Sequence, residues 1–200
     1  MLAEKIVVLG VSALSLGTFN EADGEQKATF WIGNTGDEPV TLVQGYTSCG
    51  CTTIDFEKNA VIAPGDSTCV FLTFNPQGRG GEFLESGTIV YGNGRQRVTM
   101  TISGSCISSE ETLLRQFPIR LADNLRVSAD SFDLGIMSVG HEKTVNVVVL
   151  HRDQGDRREL IPVTFKPSAT MRQGVHHVAQ YISTSDGKHT IKITLSFRLQ

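Results

Sequence analysis

Short runs rich in Val, Ile, Thr and Phe recur along the chain with apolar and polar residues in alternation, and turn residues separate them. This spacing predicts strands at 11–16, 27–33, 40–46, 52–56, 67–74, 85–91 and 96–103, with a further β segment at 5–9. Side chains two apart share a face of a strand. Phe30 and Ile32 therefore fall on one face, as do Val70, Leu72 and Phe74, and these are the expected core. Trp31 is out of phase with its neighbours and is placed outward, as a candidate contact residue or a cover for the N-terminal strand. The punctuation is Asn34-Thr35-Gly36-Asp37, Ala63-Pro64-Gly65-Asp66, Gly78-Arg79-Gly80-Gly81 and Gly92-Asn93-Gly94. Asn34 and Gly36 suit a turn that needs positive φ, and Pro64-Gly65 suits a type II turn. Seven strands in about 95 residues is the size of an immunoglobulin-like domain.

The periodicity then changes. Ser108-x-x-Glu111 has capping-box form, Leu113, Leu114 and Phe117 supply an apolar side, and Pro118 ends the helix so predicted. Strands resume at 125–128, 131–135, 143–150, 159–166, 178–184 and 190–199, with Asp186-Gly187 as the last hairpin turn. Leu16-Gly17, followed by a turn and the strand at Lys27, is echoed by Leu134-Gly135 and the strand at Lys143. The expected fold is all-β: tandem immunoglobulin-like β-sandwiches, the second shortened. Its domains are 1–107, a linker with a short helix at 108–124, and 125–200.

Composition changes this picture only at the edges. The chain is 40% hydrophobic and 20% charged with a formal charge of −3, which excludes a nucleic-acid surface built on net basicity. Residues 1–108 carry six basic and eleven acidic side chains, whereas 109–200 carry twelve and ten. All four cysteines lie in the first part and all five histidines in the second. The apolar run 6–16 is too short to span a bilayer, and its flanks lack the charge and the A-x-A site of a signal peptide, so it reads as two β segments.

The candidate chemistry is in the cysteines. In an extended Cys49-Gly50-Cys51 both side chains point to one face, close enough to share a soft metal or a partner thiol, and Gly50 permits an unusual backbone. Structural zinc sites use longer C-x2-4-C spacings, and catalytic disulfides are usually C-x-x-C, so neither pattern fits outright. The alternative is that the cysteines are buried packing groups or structural disulfides. Cys69 is out of phase with Val70 and should face outward, while Cys106 shares phase with Met100 and Ile102, which disfavours a bond between the two. His176-His177 would point to opposite faces of a strand, and Asp153, Asp156, Arg157 and Arg158 read as a solvated loop. No G-x-S-x-G, H-E-x-x-H, P-loop or G-x-G-x-x-G word occurs.

Several words occur together: Phe30-x-Ile32-x-Asn34-Thr35-Gly36, Pro39-Val40, Thr47-Ser48-Cys49-Gly50-Cys51-Thr52, Ile62-x-Pro64-Gly65-Asp66, Phe74-x-Pro76, Gly81-x-Phe83 and Ile102-x-Gly104. In this order they resemble an immunoglobulin-like domain-of-unknown-function family common in exported proteins of Bacteroides-type bacteria, itself similar to the Hydin and major-sperm-protein-like superfamily. The match covers roughly residues 12–107. The resemblance implies a periplasmic or cell-surface location, no catalytic residues, no cofactor or metal, and no membrane span within the chain. The expected function is a non-enzymatic binding or assembly module of the bacterial envelope whose partner is a protein or glycan. Trp31, Cys49, Gly50 and Cys51 are the candidate binding residues. A thiol-redox or soft-metal protein using Cys49 and Cys51 is the alternative.

Overall fold

The structure is a computed structural model describing residues 5–153 and 155–200. It divides into two compact units, one ending at Ser109 and one running from Glu110 to Gln200.

The first unit holds β1 (Ile6–Leu9), β2 (Ala13–Asn20), β3 (Gln26–Asn34), β4 (Val40–Thr47), β5 (Thr52–Asp55), β6 (Val61–Ile62), β7 (Ser67–Phe74), β8 (Gly81–Tyr91) and β9 (Gln96–Ile107). They form two facing sheets of order β1-β3-β7-β5 and β2-β9-β8-β4-β6, an immunoglobulin-like sandwich. Phe30, Ile32, Val70, Leu72 and Phe74 from one sheet meet Leu42, Ile89, Met100 and Ile102 from the other, all buried, as their period-two spacing requires. The apolar segment at 6–16 folds as strand β1 and the start of β2.

Asn34 corrects the sequence reading. It is not a positive-φ turn residue, and neither is Gly36; Asn34 ends β3 and is buried. Its amide donates to the carbonyls of Glu38 and Ile62 while its Oδ1 accepts from the Gly36 N–H at 2.9 Å. An Asx turn thus satisfies backbone groups that a sandwich corner would otherwise leave unpaired.

The second unit begins with α1 (Glu110–Gln116), followed by β10 (Ile119–Ala122), β11 (Leu125–Val127), β12 (Ser131–Met137), β13 (Lys143–His151), β14 (Arg157–Phe165), β15 (Gly174–Ser183) and β16 (Thr190–Leu199). Its sheets are β10-β11-β13-β14 and β12-β16-β15. Strand β10 lies inside the stretch expected to be linker, where it forms an antiparallel hairpin with β11 that carries a register shift. On α1, Leu113 and the following Phe117 are buried against Leu150, whereas Leu114 faces solvent, so the helix has a narrower apolar side than expected. Asp156 is also not solvated: it is buried and accepts from Arg152 Nε at 3.1 Å.

The Leu-Gly echo has a common geometry. Strand β2 runs parallel to the last strand of its unit, β9, and its register shifts between Ser15 and Thr18; β12 runs parallel to β16 and shifts between Asp133 and Ile136. Gly17 and Gly135 sit in these bulges with φ of 71° and 65°. Ser15 Oγ accepts the Gly17 N–H, and Asp133 Oδ1 accepts the Gly135 N–H, the same bond from different side chains. An L-residue pays a steric cost at such φ. Gly17→Ala and Gly135→Ala should each destabilise their own unit by about 1–2 kcal/mol, read by denaturant titration. An unchanged midpoint in either variant would show that the bulge is not strained.

One acid–base pair ties the second sandwich. The Glu159 carboxylate takes His151 Nε2 at 2.6 Å and the Ser185 N–H at 2.7 Å, linking β13, β14 and the turn after β15. Burial opposes its ionisation, but the bonds from His151 and Ser185 outweigh that and hold its pKa below the ordinary 4.5. A depressed carboxylate contributes stability above its unfolded pKa and loses it as pH falls through the folded value. Thermal melts from neutral pH downward should show that loss beginning near the ordinary carboxylate range. In Glu159→Gln this acid-dependent component should disappear and neutral stability fall by on the order of 1–3 kcal/mol.

Candidate functional site

Strand β4 belongs to one sheet of the first sandwich and β5 to the other, so the loop between them crosses the end of the core. Cys49, Gly50 and Cys51 form this loop. They are a turn rather than the extended segment expected, and the two sulfurs are bonded to each other as a disulfide. Cys51 is 5% exposed and packs in the core, Cys49 is half-buried, and Gly50 is exposed. The loop is pinned on both flanks: Thr47 Oγ1 donates to the carbonyls of Cys49 and Thr52, and the Asn75 N–H donates to the Cys51 carbonyl at 2.8 Å.

Glu85 is the group that sequence reading missed. On β8, Gly87 and Ile89 face inward: Ile89 is fully buried, and a Cβ on Gly87 would collide with Leu72 of the opposite sheet. The same period turns Glu85 inward, half-buried at the end of the core. Its Oε1 lies 3.6 Å from Cys51 Sγ, and its Oε2 accepts from the Ser48 hydroxyl. Ser48 Oγ in turn accepts the Ser86 N–H at 2.8 Å, which fixes the hydroxyl and through it the carboxylate. The signal was present in the sequence, because an acid two residues from Gly87 and four from Ile89 breaks an apolar face. A strand taken to start at residue 85 leaves that acid at its end.

Cys49 Sγ accepts a backbone hydrogen bond and shares the Thr52 hydroxyl with Cys51 Sγ. The Cys51 N–H points at it from 3.1 Å, and Thr52 Oγ1 lies 3.6 Å away. The two sulfurs and a Glu85 oxygen lie within 4.8 Å of one another, so the reduced pair with Glu85 would be the group able to hold a soft cation. The bond is a poor staple. Closing a three-residue loop removes unfolded-state entropy worth only about 1.6 kcal/mol, against about 4.7 for a 100-residue loop.

The other candidates lie elsewhere. Trp31 is 52% exposed and pairs across its sheet with Leu9 and Cys69. Cys69 is near the start of β7, while Thr52 pairs with Phe74 at its end, roughly 16 Å along the strand. Trp31 is therefore not part of the cysteine site. Cys69 and Cys106 lie outside the disulfide, the first partly exposed and the second buried. His176 stacks on Phe197 and His177 faces solvent, on opposite faces of β15. Each glycine bulge borders a shallow depression, one touching Gly17, Glu82 and Phe83, the other Gly135, Val175 and His177.

Residues 8–106 match the family model described as a protein of unknown function, DUF1573. No match is found among curated protein sequences. Among solved structures, the chain is similar to the VesB protease of Vibrio cholerae at 16% identity and a TM-score of 0.41, covering 51% of this chain and 31% of that one. It is similar to a PapD-like domain of human CEP192 at 14% identity and a TM-score of 0.41, covering 54% and 88%. It is also similar to SSP-19 of Caenorhabditis elegans, an MSP-domain-like protein, at 14% identity and a TM-score of 0.35, covering 44% and 92%. The chain thus spans about a third of the protease, and these likenesses concern the sandwich fold alone.

The cysteine geometry has a direct check. Unfolded, unreduced protein should titrate two thiols, Cys69 and Cys106, and all four after reduction. Alkylation mapping should place the reducible pair at Cys49 and Cys51; four thiols before reduction would remove the disulfide from the site.

Proposed function

We propose that the chain is an exported binding or assembly module of the bacterial envelope whose principal role is contact with a partner protein. The observation that carries this reading is β15. Among the described residues it pairs on one side only, with β16, over ten residues and without a register shift. It holds no Asp, Glu, Lys, Arg or Pro, and Val175, His177 and Tyr181 are exposed on its outer face. Edge strands are ordinarily protected by charge, proline, bulges or brevity. An unprotected edge of this length suits β-augmentation, in which an extended segment adds to the sheet through main-chain hydrogen bonds and is selected by alternate side chains.

The Cys49–Cys51 disulfide supports a location outside the cytoplasm, periplasmic or at the cell surface, because disulfides persist in oxidising compartments. Among the described residues, no helix is long and apolar enough to cross a membrane. Trp31, on the first unit, offers the aromatic surface a glycan partner would need, but it stands without a surrounding cleft of polar groups in the residues it pairs with.

Val175→Lys with Tyr181→Lys should abolish retention of envelope protein on the immobilised chain while leaving the far-ultraviolet circular dichroism and melting temperature of the folded protein in place. Retention of the same proteins by the double variant would overturn the β15 reading, and loss of retention in Trp31→Ala alone would move the contact to the first unit.

A further inference from the structure

We propose that Cys49, Cys51 and Glu85 form a thiol–disulfide exchange site that takes a dithiol as substrate, with Cys49 the attacked sulfur and Glu85 the proton carrier for Cys51. This is independent of the contact role of β15, since it uses other residues in the other unit.

Three features assign the roles. Cys49 is the more exposed of the two residues, and beside it a Cβ on Gly50 would meet nothing within 4 Å, so the loop is open next to Cys49. The Cys51 N–H points at Cys49 Sγ from 3.1 Å, where it would hold negative charge when that sulfur leaves or attacks as a thiolate, whereas the Thr52 hydroxyl lies between the two sulfurs. Cys51 is buried, and the ionisable group beside its sulfur is the inward-facing carboxyl of Glu85, aligned by Ser48. A buried sulfur cut off from water needs a fixed partner to give and take its proton, and Glu85 is within reach to do so.

One thiolate of the dithiol attacks Cys49 Sγ. The bond to Cys51 breaks, its electron pair passes to Cys51 Sγ, and that sulfur takes the proton released by the attacking thiol, relayed through the Glu85 carboxylate. The second thiol of the substrate, as thiolate, attacks the substrate sulfur of the mixed disulfide. Cys49 then leaves as a thiolate facing the Cys51 N–H. The dithiol is oxidised to a disulfide, the protein pair is reduced to two thiols, and the dithiol's two protons reach the cysteines by way of solvent and Glu85. The reverse sequence lets the reduced pair reduce a disulfide, with Glu85 removing the Cys51 proton.

The test follows reduction of the folded chain by dithiothreitol across about pH 5 to 9, with alkylation and peptide mapping as the readout. Native wild type should be reduced at Cys49–Cys51 without denaturant. Glu85→Gln should slow the reaction on the order of tenfold and flatten its pH dependence. Ser48→Ala, which keeps the carboxyl but removes its aligning bond, should slow it less; it also stands in should Glu85→Gln fail to fold. With glutathione disulfide, Cys51→Ser should trap glutathione on Cys49, whereas Cys49→Ser should not trap it on Cys51. Resistance of the native pair to dithiothreitol would overturn the proposal, as would a wild-type rate and pH profile in both Glu85→Gln and Ser48→Ala. Stoichiometric zinc binding by the reduced chain without exchange would overturn it in favour of a metal site.

Discussion

The alternation of β8 places Gly87 and Ile89 in the gap between two sheets, and the same alternation carries Glu85 into that gap. A strand cannot turn one residue outward without a bulge, and β8 pairs with β9 along its whole length without one. The acid is therefore held inward by the packing that forms the core. The disulfide loop meets it there because β4 and β5 lie in opposite sheets, so the chain between them must cross the end of the sandwich. The sulfurs are joined by a local turn at Gly50, and the carboxylate reaches them through the pairing of β4 with β8, which sets Ser48 beside Ser86.

Much of the fold was legible before the structure. The strands around Phe30, Val70 and Met100 follow from period two and β-branched residues, and the Leu16-Gly17 and Leu134-Gly135 echo marked a repeat whose geometry is a shared bulge. What was not legible depended on pairing partners distant in the chain. Asn34 reads as a turn residue in isolation, yet its amide reaches the carbonyl of Ile62 across 28 positions. Strand β10 exists because β11 is there to pair with it, and Leu114 is exposed because only one side of a two-turn helix finds Leu150. The cysteines were read as neighbours on a strand, where their sulfurs would lie side by side; a turn at Gly50 brings them into a bond instead. Glu85 was missed by a strand boundary rather than by chemistry.

The two units divide the chemistry as the composition does. The cysteine-bearing unit concentrates its unusual groups at one end of its core, where burial and a few directed donors set what a sulfur can do. The histidine-bearing unit uses an acid–base pair, His151 with Glu159, to join strands, and leaves a long uncharged edge at β15.

Each sandwich is completed by an early strand lying parallel to its own last strand, β2 along β9 and β12 along β16. Such a strand is held by a single neighbour in its sheet and is tethered to the rest of its unit by short turns at either end. With only a few residues of turn at each end, the strand cannot leave its sheet without pulling the neighbouring strands of the chain with it. The turns thus hold β2 and β12 in place as much as their single ladders do, and each sheet is closed by a strand from its own stretch of chain.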